Sequence, residues 1–190
     1  QEEGCITVSL TTNPFNDDAA GVRNVFEPDC GIESCIQTIT IDEYFDADGN
    51  VTFKDYNRRS NLSRNIDDAY ENGFEAEICT DRAVLEEWYD QIHSKRIEEI
   101  GGTPLPKELF MNAFEGMSDN VVFLIARKDG DLAGGDFCAY TESGILENMM
   151  LSSDSAYFDQ GVNFFLIDQL LHWCNDNDIA YYDWQSSNPP

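Results

Sequence analysis

Two carboxylates and a group of arginines are the side chains of this sequence best suited to chemistry. Glu147 lies among Leu146, Asn148, Met149 and Met150, where burial would raise its pKa towards the range useful to a base. On an alternating strand it would instead face water, and both arrangements are open. Asp183 stands between Tyr182 and Trp184, so its carboxyl must find hydrogen-bond partners. It is expected to anchor the polar residues Ser186, Ser187 and Asn188, with substrate binding as the alternative. Lys54, Arg58, Arg59 and Arg64 place four of the eleven cations within eleven residues. Such a group would hold an anion at or near a helix start, or pair with Asp55, Asp67, Asp68 and Glu71.

Other reactive side chains carry weaker signals. Residues 46–55 approach a calcium loop, with Asp46 and Asp48 two apart, Gly49 next, and Asp55 last. The loop's first position would fall on Tyr44, so a hairpin turn around Asp48, Gly49 and Asn50 is the expectation. His93 and His172 have no second His or Cys at ligand spacing, so no metal site is expected. No Gly-x-Ser-x-Gly elbow supports a serine nucleophile. Six cysteines without a C-x-x-C pair read mostly as core residues in a reducing compartment, although a disulfide between Cys30 and Cys35 is open.

The elements that must position these residues follow from periodicity. Phe164, Ile167, Leu170, Leu171 and Cys174 recur at helical spacing, and residues 179–184 form a short aromatic run bounded by turn residues. Upstream, residues 6–11 and 36–41 read as strands and a short helix starts near Asn61 and ends at Gly73. Residues 74–79 read as a strand. Thr80 or Asp81 can cap a long helix carrying Leu85, Trp88, Tyr89, Ile92 and Ile100, closed by Gly101 and Gly102. Pro106 suits the first turn of another helix, with Leu109, Phe110, Ala113, Phe114 and Met117. Residues 121–127, 132–140 and 144–151 are three strands, with Asp129-Gly130 and Glu142-Ser143-Gly144 as hairpin turns. The order predicts an α/β fold with a mixed sheet.

The formal charge of −26, from 37 acidic against 11 basic residues, opposes binding to DNA, RNA or anionic lipid. A solvated surface suited to high salt is the simpler reading. No apolar run approaches the ~20 residues that cross a bilayer, and a soluble, cytoplasmic protein is expected. The first residue, Gln1, reads as a processed or fragment end.

Three segments, taken together, resemble the GNAT acyltransferase superfamily and, within it, the Fem-type aminoacyltransferases. They are Arg58 to Ala69 with Gly73, Gly101 to Phe110, and Phe165 to Asp168 followed by Tyr182 to Pro189. The resemblance covers roughly residues 36–190. It implies a GNAT-like mixed, largely antiparallel sheet flanked by helices, with residues 1–73 the partial N-terminal lobe plus connecting helix and residues 74–190 the second lobe. It further implies transfer of an acyl or aminoacyl group from acyl-coenzyme A or aminoacyl-tRNA to a small-molecule or peptide-like amine in cell-envelope assembly. In that frame Glu147 is the general base and Asp183 its catalytic companion. Arg58, Arg59, Arg64, Asn148, Asn163, Ser187 and Asn188 bind substrate, and Gln160, Gly161 and Val162 bind the cofactor. The loop before Val162 keeps one glycine, and its Asp154 and Asp159 oppose a pyrophosphate. A binding or interaction module that keeps the fold without using coenzyme A is therefore the alternative.

Overall fold

A computed structural model describes residues 25, 35–49, 51–52 and 62–187. The chain divides into two compact units, Gln37–Gln185 and a smaller one formed by Gln1–Ile36 with Ser186–Pro190. The larger unit is built on strands β1 (Cys35–Thr40), β2 (Glu75–Ile78), β3 (Val121–Lys128), β4 (Asp131–Thr141), β5 (Ile145–Ser153) and β6 (Tyr181–Ser187). They form one sheet in the order β1-β6-β5-β4-β3-β2. Pairing from β2 through β5 is antiparallel, and β5 with β6 is parallel. The mixed, largely antiparallel sheet agrees with the sequence expectation. Asp129 and Gly130 join β3 to β4 with φ of 54° and 90°, the left-handed pair that a two-residue hairpin turn requires.

The helices are α1 (Ile41–Tyr44), α2 (Leu62–Glu71), α3 (Arg82–Trp88), α4 (Ser94–Glu99), α5 (Lys107–Gly116) and α6 (Val162–Asp176). One core lies between α1, α2, α6 and the sheet, and holds Tyr44, Ala69, Leu146, Leu166, Leu171 and Tyr182. The other core places Leu85, Trp88, Tyr89, Phe110, Phe123 and Phe137 together. Full burial of side chains this large contributes about 1.5–3 kcal/mol each.

The apolar face of α6 is broader than expected. Leu170, Leu171 and Cys174 are buried as the spacing predicts, and Phe165 and Leu166 are buried with them, whereas Phe164 is exposed and Ile167 half-buried. The helix is covered by the sheet on one side and by α1 and α2 on another, so a single stripe does not describe it. Asp81 caps α3 by accepting from the Ala83 N–H at 2.8 Å, as the sequence indicates. The expected long helix, however, is interrupted by a π-helical turn at Tyr89–His93, and Ile100 is left exposed. Gly73, at φ 77°, follows α2 as expected. Around Gly49 the chain forms a turn, with the Asp48 N–H donating to Asp46 Oδ1 at 2.9 Å and Phe45 bridging Val51. That is hairpin geometry; the rest of the calcium-like stretch lies outside the described residues. Cys79, Cys138 and Cys174 are buried free thiols. The strand expected at residues 6–11 and the Cys30–Cys35 pairing lie outside the described residues.

Candidate functional site

Parallel pairing of β5 with β6 runs, among the described residues, from Ile145↔Tyr181 through Leu146↔Tyr182 to Glu147↔Asp183. Neighbouring strands lie about 4.8 Å apart, and partners at one register position leave the same face of the sheet. Glu147 and Asp183 are therefore adjacent carboxylates where the paired segment ends. Glu147 is exposed and Asp183 is 8% exposed. Leu146 and Tyr182 point the other way, into the α6 core, so the burial considered for Glu147 is not what the strand provides. On its other side Glu147 has the small residue Ala139 of β4.

One step along, the register changes. Phe137 pairs with Met150 and Cys138 with Asn148, which leaves Met149 as the extra residue of a β-bulge. Bulges bend a strand and re-aim its side chains.

Beneath the bulge, on the α6 face, lies a polar cluster. Asn148 Nδ2 donates to both Asp136 oxygens at 2.9 Å and to the Tyr182 hydroxyl oxygen at 2.7 Å. The Cys138 thiol donates to Asp136 Oδ1 at 3.3 Å. Burial pushes the Asp136 carboxyl up to about 7, against the lowering effect of the Cys138 and Asn148 hydrogen bonds. Burial, with the Asp136 charge adding to it, pushes the Cys174 thiol up to about 12 and raises the Tyr182 phenol as well.

Residues 154–161 lead from β5 into α6. Asp154 accepts from the Ala156 N–H at 2.9 Å and starts the 3-10 turn Ser155–Gln160. Gly161, at φ 85°, then admits α2: a Cβ here would lie 2.9 Å from Ala69 Cβ and 3.1 Å from the Asn65 oxygen. The Gln160 carbonyl accepts from Asn72 Nδ2 at 3.0 Å, its side-chain oxygen accepts from Lys128 Nζ, and Val162 is buried. The pyrophosphate of an acyl-coenzyme A would need open backbone amides at this place. Here α2 fills the free side of Gly161 and the exposed carboxylates Asp154 and Asp159 flank the turn. These residues do not fit that group. Beside the end of β5, a cleft of about 150 Å³ lies between Lys95, Arg96 and Glu99 on one side and Ser153, Asp154 and Ser155 on the other.

The other expected site residues are dispersed. Arg64 is exposed and lies 3.9 Å from Asp68, the carboxylate pairing open in the sequence. Asn163 is half-buried, and its Oδ1 has no hydrogen-bond partner among the described residues. Arg58, Arg59 and Asn188 lie outside the described residues, as does the side chain of Ser187. His93 is buried with Nδ1 2.9 Å from Ser152 Oγ, and burial lowers its pKa. His172 is half-exposed, 3.7 Å from Asp168. Among the described residues no group of three His, Cys, Asp or Glu side chains could hold a metal ion. No helix among them is long and apolar enough to cross a membrane.

Sequence reading missed two buried carboxylates. Asp136 interrupts the strand run Gly134, Gly135, Asp136, Phe137, Cys138, the same signal that singled out Asp183. Asp168 lies inside the apolar helix α6 and accepts from the Tyr44 and Tyr70 hydroxyls, both at 2.7 Å. Its signal was an acid amid the buried helical positions Phe165, Leu166 and Leu171.

A largely antiparallel sheet with helices on both faces and a parallel seam between β5 and β6 is a fold of the GNAT type. The acetyltransferase (GNAT) domain family matches residues 56–188, and the chain belongs to that family. Among solved structures, FemX is similar with a TM-score of 0.67 and 9% identity, over 82% of this chain and 54% of that one. L-PGS from Bacillus licheniformis is similar with a TM-score of 0.62 and 11% identity, over 92% of this chain and 51% of that one. The chain thus spans about half the length of each, and at such identities the likeness is one of fold. No curated protein matches the sequence.

Proposed function

We propose that this chain is a Fem-like N-acyltransferase that moves an acyl or aminoacyl group onto the amine of a small-molecule or peptide-like acceptor in cell-envelope assembly. The observation that carries the reading is the exposed Glu147 beside Asp183 at the end of the parallel seam of a GNAT sheet. Glu147 takes a proton from the acceptor ammonium, directly or through one water. The freed nitrogen lone pair attacks the donor carbonyl carbon, the C–N bond forms, and the bond to the leaving oxygen breaks. The nitrogen gives up its second proton as the amide forms, and the leaving atom takes up that proton as it departs. A positioned base contributes about 10²–10⁴-fold to such a step. Asp183 adds negative charge beside Glu147 that draws the cationic acceptor towards the pair.

In this reading Arg58, Arg59 and Arg64 meet an anionic part of the substrates. Asn163, Ser187 and Asn188 meet polar parts, and Gln160, Gly161 and Val162 frame the donor end. Asn148 serves from beneath the seam. Residues 1–73 belong to a first lobe with its connecting helix, 74–190 form the catalytic lobe, and the protein works in the cytoplasm. An aminoacyl ester suits the loop before α6 better than acyl-coenzyme A, because the pyrophosphate fit fails there.

The test is transfer of radiolabel from acetyl-coenzyme A and from aminoacyl-tRNA to lysine and to an amine-bearing peptide. Transfer from one donor is expected. No transfer from either, with no thermal shift on adding either, contradicts the reading and leaves a non-catalytic binding module.

A further inference from the structure

We propose that Asp136 is a positioning residue for the Glu147–Asp183 pair, fixing through the Asn148 amide the place where β5 and β6 part. The inference rests on the proposed role of that pair. Asp136 is on β4, Asn148 on β5 and Tyr182 on β6, so one amide group links three adjacent strands. Asn148 directly follows Glu147 in the chain, and Tyr182 directly precedes Asp183. Side chains alternate along a strand, so the links lie on the opposite face from the carboxylate pair and set the backbone from which both project.

The amide has two hydrogens and meets three acceptors. With Asp136 ionised, its hydrogens face the carboxylate and share with the Tyr182 oxygen. When Asp136 gains a proton its O–H becomes a donor, and the amide oxygen becomes the matching acceptor. The amide then turns over and Tyr182 must donate where it had accepted. The link between β5 and β6 therefore depends on the state of Asp136. The titratable groups facing it are the Cys138 thiol on β4, the Cys174 thiol on α6 and the Tyr182 phenol on β6. Among the described residues, no ion pair involves Asp136.

The test is NMR titration of the full chain carrying ¹³C-labelled carboxyl groups, with Glu147 assigned by Glu147→Gln. In the native protein the Glu147 resonance should show its own inflection and a second one coinciding with that of Asp136. Asp136→Asn, which keeps the side-chain size, should abolish the second inflection and leave the circular dichroism unchanged. Glu147 curves that superimpose in two folded proteins overturn the proposal. Should Asp136→Asn not fold, Tyr182→Phe removes the acceptor oxygen and should displace the same inflection; an undisplaced inflection overturns the proposal. This readout needs no substrate, so failure of the transferase reading is seen separately, in the transfer assay. Where transfer is measured, Asp136→Asn should lower kcat by about 10–100-fold, as small displacements of reacting groups do. KM should stay within about twofold, since ground-state binding is untouched. An unchanged kcat, or a change in KM alone, overturns it.

Discussion

Asp136 keeps its carboxyl in the protein core with an amide and a thiol as donors, and that arrangement makes stability depend on pH. Its pKa stands at about 7 in the folded chain against an ordinary 3.8. Between those values the folded chain holds a proton that the unfolded chain has released. The stabilisation is fully present below the lower value and is lost as pH rises through about 7. His93 acts in the opposite sense, because burial lowers its pKa and stability falls as the unfolded chain takes up a proton below about 6.5. Comparing urea midpoints of the native chain and Asp136→Asn at each pH cancels His93. Relative to the native chain the variant should gain stability from about pH 4 to 7, and a flat difference would contradict this account. Asp183 was legible in sequence because it breaks an aromatic run. Asp136 sits in an equally apolar strand, but its amide partner Asn148 comes from β5, and no local pattern records register.

At the scale of elements, α6 and α2 show what periodicity captures and where it stops. The hairpin at Asp129-Gly130 and the caps of the helices depend on residues within a few positions, and they were legible. The burial of Phe165 and Leu166 beside the expected Leu170, Leu171 and Cys174, and the π-helical turn, depend on what packs around them, and those were not. Gly161, at the N-cap of α6, is one place where α2 approaches closely, and substitution there tests it. Gly161→Ala combines a left-handed φ of 85° with a Cβ placed 2.9 Å from that of Ala69. It should cost about 1–3 kcal/mol, seen as a lower urea midpoint. Gly73→Ala, at φ 77° with open space around the added Cβ, serves as the control and should cost about 1 kcal/mol. Equal losses for the two would contradict a close approach of α2 to α6. The same approach explains why a loop that resembled a cofactor cradle in sequence is filled by the protein itself.

For the whole molecule, a formal charge of −26 implies self-repulsion that salt screens. The melting temperature should rise between about 0.05 and 1 M NaCl, as the Debye length shortens to about 3 Å. A melting temperature independent of salt would show that the acidic surface costs the fold nothing. The fold class was legible because element order alone specifies it. The seam required three-dimensional register, which brings Glu147 to Asp183 across a sequence separation of 36. The central claim is that this pair performs proton removal in acyl transfer. Its most direct test is the single-turnover rate of transfer, from whichever donor the native chain uses, in Glu147→Gln. The rate should fall about 10²–10⁴-fold, with the melting temperature unchanged because Glu147 is exposed. Equal rates in the native chain and the variant would contradict the assignment.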